Sequence, residues 1–128
     1  MPEFDLNPYF KAIVDVEPSA IVICDLDHII RYMNPAAYRR YKNRGGDHLL
    51  GSNVFDCHKP ESNVMIGKVM NWFKASPDND IMYLYYSEKE NKDVYMIALR
   101  DDERNLIGYY GKHHYLARET KKPYEGLE

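Results

Sequence analysis

Residues 20–36 read AIVICDLDHIIRYMNPA. Two short apolar runs, 20–24 and 28–33, flank the turn residues Asp25-Leu26-Asp27. β-Branched side chains dominate both runs, and the pattern predicts a β-hairpin over 20–33. Asn34-Pro35 stops it. An asparagine followed by proline suits the cap and first turn of a helix, and Ala36, Ala37, Tyr38 and Tyr41 continue it.

The chain on either side extends this reading. Upstream, Asn7 and Pro8 form a second cap-and-proline start, and Tyr9, Phe10, Ile13 and Val14 recur at helical spacing. That helix ends near Glu17-Pro18, because proline disfavours helical geometry in the residue before it. Downstream, Arg44-Gly45-Gly46-Asp47 breaks the second helix. Ile66, Val69, Met70 and Phe73 then mark one apolar face of a long helix over 61–75, closed by the turn residues 76–80. Residues 81–86, 93–99 and 106–116 are rich in Tyr, Ile, Val and Leu and are separated by short polar turns. Short connections imply antiparallel neighbours.

The expected fold is therefore α+β. It has a five-stranded antiparallel sheet, helices inserted between strands 2 and 3, and an N-terminal helix. Helices covering one sheet face leave a natural cavity between that face and the long helix. The expected organisation is an N-terminal helix and lead-in over 1–18, a domain over 19–120 and a tail over 121–128. Leu127-Glu128 is consistent with a cloning scar.

Composition narrows the function classes. The 128 residues are 45% hydrophobic and 29% charged, enough to bury one core and stay soluble. The twelve tyrosines suit half-buried strands. A net charge of −3 gives no general attraction to nucleic acid. The basic run Arg39, Arg40, Lys42 and Arg44 reads as a solvated helix face. Two cysteines make no disulfide framework, and no apolar run approaches the ~20 residues of a membrane span. A reducing, cytoplasmic setting with free thiols is expected.

At this point the sequence resembles the PAS domain superfamily. The residues that carry the likeness are Ala20-Ile-Val-Ile-Cys-Asp25, Ile29-Ile-Arg-Tyr-Met-Asn-Pro-Ala36, Leu50-Gly-Ser-Asn-Val-Phe55 and the hairpin over 99–108. The segment Cys57-His58-Lys59-Pro60-Glu61-Ser62, with Phe73-Lys74 further on, resembles a subgroup with Cys-His-x-Pro-x-Ser before the long helix. The resemblance implies a sensory or interaction domain, not an enzyme. An unidentified small molecule or signalling protein would bind in or around the cavity between long helix and sheet. The residues expected to line the site are Ile23, Tyr32, Tyr38, Phe55, Cys57, His58, Met65, Val69, Met70, Phe73, Tyr85 and Met96.

The stretch GSNVFDCHKPES over 51–62 admits several chemistries. Light-sensing flavin relatives carry a reactive cysteine where this chain has Val54, so flavin photochemistry is disfavoured. Haem needs an axial ligand, and the helix over 61–75 has no histidine. His58, or Cys57 as thiolate, is the candidate, and adjacent side chains diverge, so at most one binds. The same divergence argues against a catalytic Cys57-His58 pair. The favoured reading is structural: Cys57 plugs, His58 or Asp56 caps the first helical turn with Ser62 as the alternative cap, and Pro60 and Glu61 fix the helix start. His113-His114 on a strand points to opposite faces, poor geometry for one metal ion. Met33, Met65, Met70, Met82 and Met96 read as ordinary core before they read as an adaptable pocket. Asp101-Asp102-Glu103, Asp25 and Asp27 read as solvated turns.

The N-terminal helix and the strand exit after Leu116 are the expected output points, with Arg118-Glu119-Thr120 where such domains often carry a link to an effector. The helix face of Tyr9, Phe10, Ile13 and Val14 must be covered by its own sheet or a second copy, so a homodimer is expected. The alternatives are a ligand-free interaction or dimerisation module and a haem-binding gas or redox sensor.

Overall fold

The computed structural model describes residues 3–127. Helix α1 spans Asn7–Val16, strand β1 Val22–Asp25, strand β2 Ile30–Met33 and helix α2 Pro35–Arg40. Three single 3-10 turns follow, at Lys42–Arg44, Gly46–Leu49 and Val54–Cys57. Helix α3 covers Pro60–Ala75, and strands β3 (Ile81–Ser87), β4 (Lys92–Arg100) and β5 (Leu106–Tyr115) complete the chain. The sheet order is β2-β1-β5-β4-β3, with every neighbouring pair antiparallel. The α+β, five-stranded expectation is met. Helix α1 starts one residue earlier than the sequence suggests. Asp5 Oδ1, not Asn7, receives the first free N–H, from Asn7 at 3.0 Å.

The inner sheet face carries Cys24, Ile30, Met33, Met96, Ala98 and Tyr109, packed in one cluster with Val69, Met70 and Phe73 of α3. Burial alternates along β4, where Lys92, Val94, Met96 and Ala98 are buried and their neighbours are not. Parity also corrects one expectation. Ile23 pairs with Tyr32 and Tyr110, on the face opposite Cys24, so Ile23 and Tyr32 lie away from α3. The apolar run 20–24 hid this, because an unbroken run does not say which residues point inward.

Close approach fixes the centre of the sheet. A Cβ at position 108 would sit 2.2 Å from the Cys24 carbonyl oxygen, so β1 pairs with β5 there only because residue 108 is glycine. Arg100 locks α3 onto β4: its guanidinium donates to the carbonyls of Phe73, Ser76 and Asn79 at 2.8–3.1 Å and to Asp80 Oδ1 at 2.6 Å. At the other end Arg40 is exposed like its basic neighbours and also makes an ion pair. It donates both Nη atoms to Glu90 at 2.7 and 3.0 Å, tying α2 to the β3–β4 turn.

Asn34 binds these parts together. It is 0% exposed. Its Oδ1 accepts from Ala37 N, capping α2, and from Ile21 N, both at 2.9 Å. Its Nδ2 donates to Val14 O at 2.9 Å and Ser19 O at 3.1 Å. Asn34→Ala strands at least two buried main-chain donors or acceptors, and we expect a loss of about 3 kcal/mol. Urea unfolding followed by circular dichroism measures it; a loss within error of zero would mean that water replaces the amide without penalty.

Candidate functional site

The space expected to hold a ligand is occupied by the protein's own side chains. Phe73 is 0% exposed, and Val69, Met70, Met33 and Met96 surround it. Tyr38, Leu49, Val54, Ile66 and Trp72 pack around this cluster. Of the expected lining residues, Val69, Met70, Phe73, Met96 and Tyr38 come together here. The rest do not. Met65 and Tyr85 are 56% and 53% exposed, and Cys57 and His58 are exposed as well.

Phe55 belongs to a different cluster. It stacks on His28 with ring centroids 4.0 Å apart. His28 Nδ1 lies 2.8 Å from the Tyr109 hydroxyl, and Tyr109 stands directly across from Cys24 on β1. Burial pulls the His28 ring below its usual range, and Lys74 adds to this; Asp25 and Asp27 oppose it. A neutral ring with Nδ1 unprotonated accepts a hydrogen bond from the Tyr109 hydroxyl. Burial pushes the Cys24 thiol up to about 11, so it is an inert core group. Sequence reading gave His28 no such role, because its partners are 27 and 81 residues away. No local pattern signals such a contact.

The stretch 51–62 does hold the start of α3, by a route the sequence did not show. Residues 51–54 pair with the β2 side of the hairpin: Gly51 N donates to Ile30 O, Ile30 N to Ser52 O and Val54 N to His28 O, at 2.8–2.9 Å. Asn53 Oδ1 caps the following 3-10 turn through Phe55 N at 2.9 Å. The cap expected from His58 or Asp56 on α3 is replaced. His58 Nδ1 donates back to Val54 O at 2.8 Å, and Asn63 Nδ2 reaches Phe55 O at 2.9 Å. Both contacts fold the turn under α3 instead of capping it.

The two C-terminal histidines sit on opposite faces, His113 partly buried and His114 exposed. His113 stands diagonally across from Lys92, which is 1% exposed and lies 2.9 Å from Glu90 Oε2. Burial pulls the His113 ring down to about 4, helped by the charges of Lys92 and Arg40 against that of Glu90. Arg40, then Lys92, hold Glu90 down to about 2. The surface of the described residues also carries clefts, of which two stand out. One of about 520 Å³ runs between residues 17–21 and β5. The other, about 460 Å³, lies beside Tyr38, Arg39, Lys42 and the Gly45-Gly46 turn. Among the described residues, no three His, Cys, Asp or Glu side chains converge as a metal site. No described helix is long and apolar enough to cross a membrane.

Comparison with known proteins agrees with this geometry. Residues 18–112 match the PAS domain family, and the chain belongs to it. Among solved structures it is similar to the C-terminal domain of a Streptococcus mutans protein, at 25% identity and a TM-score of 0.65, covering 99% of this chain and 96% of that one. It also resembles a PAS domain from Colwellia psychrerythraea (15% identity, TM-score 0.63, 88% and 98% covered). A sensory box sensor histidine kinase from Vibrio cholerae shares the fold at 13% identity and a TM-score of 0.58, with 87% and 92% covered. No curated protein sequence matches the chain.

The His113 and Glu90 environments set an acid response. The folded His113 ring titrates near 4 against an ordinary 6.5, so the unfolded chain takes up its proton first. Stability is full above pH 6.5 and falls as pH drops toward 4. Glu90 adds a second loss between 4.5 and 2. The melting temperature measured against pH will show both slopes, and His113→Phe will flatten the first while leaving the second. An unchanged first slope in that variant would assign it to other groups.

Proposed function

We propose that this PAS domain is a signalling module that works by protein contact, and that its first partner is a second copy of itself. The observation that carries this is the orientation of α1. An amphipathic helix normally turns its apolar stripe to its own core. Here Asp15 accepts from the Tyr32 hydroxyl and Lys11 lies over the Tyr32 ring. Val14 O receives Asn34 Nδ2. Tyr9, Phe10, Ile13 and Val16 are left exposed on the opposite side, and no α1 residue is buried. The outer end of the sheet adds Ile81, Tyr83 and Tyr86, also exposed. A helix face and a sheet face uncovered on one chain can cover one another across a two-fold axis.

The filled interior supports contact over small-molecule capture as the mode of action. A ligand between α3 and the sheet would have to displace Phe73, Met70 or Met96, which cores resist. The haem reading finds no support in the placement of His58, which is exposed and does not face the buried cluster around Phe73. The Cys57-His58-Lys59-Pro60 segment, on this reading, seats α3 and does no chemistry.

Light scattering on a sizing column tests the reading. We expect twice the chain mass, and Phe10→Glu or Ile13→Glu should weaken the dimer at least about tenfold without changing the circular dichroism spectrum. A strict monomer at high concentration removes the idea. An absorption spectrum of protein purified from cells should show neither a Soret nor a flavin band; either band would reopen the interior as a cofactor site.

A further inference from the structure

Charge is spread unevenly over this chain. Residues 38–48 hold four of its seventeen lysines and arginines but one of its twenty carboxylates, so the chain outside them is six charges negative. Arg40 turns to Glu90, at 2.7 and 3.0 Å. Arg39, Lys42 and Arg44 are exposed and make no ion pair among the described residues. The carboxylate of the segment, Asp47, lies 4.0 Å from His48 and pairs with none of the three cations.

Helix-end electrostatics explains part of this. Cations in the last turn of α2 meet the partial negative charge of its carbonyl end, which accounts for Arg39 and Arg40. Lys42 and Arg44 lie past that end, on the 3-10 turn over Lys42–Arg44. Like charges held this close repel one another, and the fold supplies no counter-charge for Arg39, Lys42 or Arg44.

The cations border the cleft of about 460 Å³, whose walls include Tyr38, Arg39, Lys42 and the turn residues Gly45 and Gly46. The Tyr38 ring gives that cleft an apolar surface, and the stems of Arg39 and Lys42 extend it. Extent decides the class of occupant. A nucleic acid or an anionic membrane presents negative charge over a far longer reach than one cleft, and would meet the acidic remainder of the chain. A short acidic peptide segment ends before it does.

We propose that this cleft docks a short acidic segment of a partner protein. Its carboxylates pair with Arg39, Lys42 and Arg44, and one apolar side chain among them lies against Tyr38. None of these residues belongs to the proposed dimer surface, so the two readings stand or fall separately.

The peptide acetyl-Glu-Glu-Leu-Glu-Glu-amide is the probe, titrated into the ¹⁵N-labelled full chain at neutral pH. Saturable shifts are expected at the amides of Arg39, Lys42, Gly45 and Gly46. Raising salt from about 50 to about 200 mM should weaken binding about threefold, because the contacts are exposed. The uncharged counterpart acetyl-Gln-Gln-Leu-Gln-Gln-amide should bind at least about tenfold more weakly, a comparison that needs no variant. Arg39→Glu combined with Lys42→Glu should weaken the acidic peptide by a similar factor. Lys112→Glu, an exposed change on the outer sheet face beside Tyr95, should leave it unchanged. Equal binding of the glutamine peptide, an equal loss in Lys112→Glu, shifts spread over the other lysines, or no saturation would overturn the proposal. So would tighter binding of a short oligothymidylate or of phosphatidylserine vesicles than of the peptide.

Discussion

One buried amide holds this domain together. Asn34 joins the end of β2, the start of α2, the lead-in at Ser19 and Ile21, and the last turn of α1. Only an amide does this, because the site needs an acceptor on one side and a donor on the other. Aspartate would keep the cap and present charge to the carbonyls of Val14 and Ser19. A buried group with every valence used fixes geometry as well as contributing stability. The angle at which α1 leaves the sheet is thus set by the same side chain that starts α2.

That constraint explains the division of labour across the sheet. The inner face is closed by α3 and needs no partner. The outer face is touched by the polar side of α1 through Lys11, Asp15 and Tyr32. Exposed ion pairs of this kind contribute little and weaken with salt. Helix α1 is therefore held at its last turn by buried hydrogen bonds and elsewhere by weak ones.

Much of this was legible in the sequence. The hairpin over 20–33, the asparagine cap and the long-helix face of Val69, Met70 and Phe73 all follow from local pattern. Local pattern failed where long-range geometry decides. Parity within the run 20–24 depended on which face of the hairpin α3 would cover, so Ile23 and Tyr32 were placed inward. The basic run around Arg40 carries no sign of the ion pair it makes with Glu90, 50 residues away. His28 was read as the first residue of a strand, and folding gives it a positive φ of 66° and two aromatic partners. A histidine tolerates that conformation better than its β-branched neighbours would.

The two open features of the molecule share one joint. Residues 17–21 form one wall of the cleft beside β5 and also carry α1. Pro18 and Ile21 line that wall, and Ile21 is bonded to Asn34. Asn34 holds Val14 of α1 by the opposite end of the same amide. A displacement of the lead-in therefore reaches the helix through a single rigid group about one side chain long, without passing through the packed core. In a domain whose interior is packed, this joint is where the lead-in and α1 meet through one buried amide. The β1 ladder with β5 ends at Ile23 opposite Tyr110, which leaves the cleft beside that joint open.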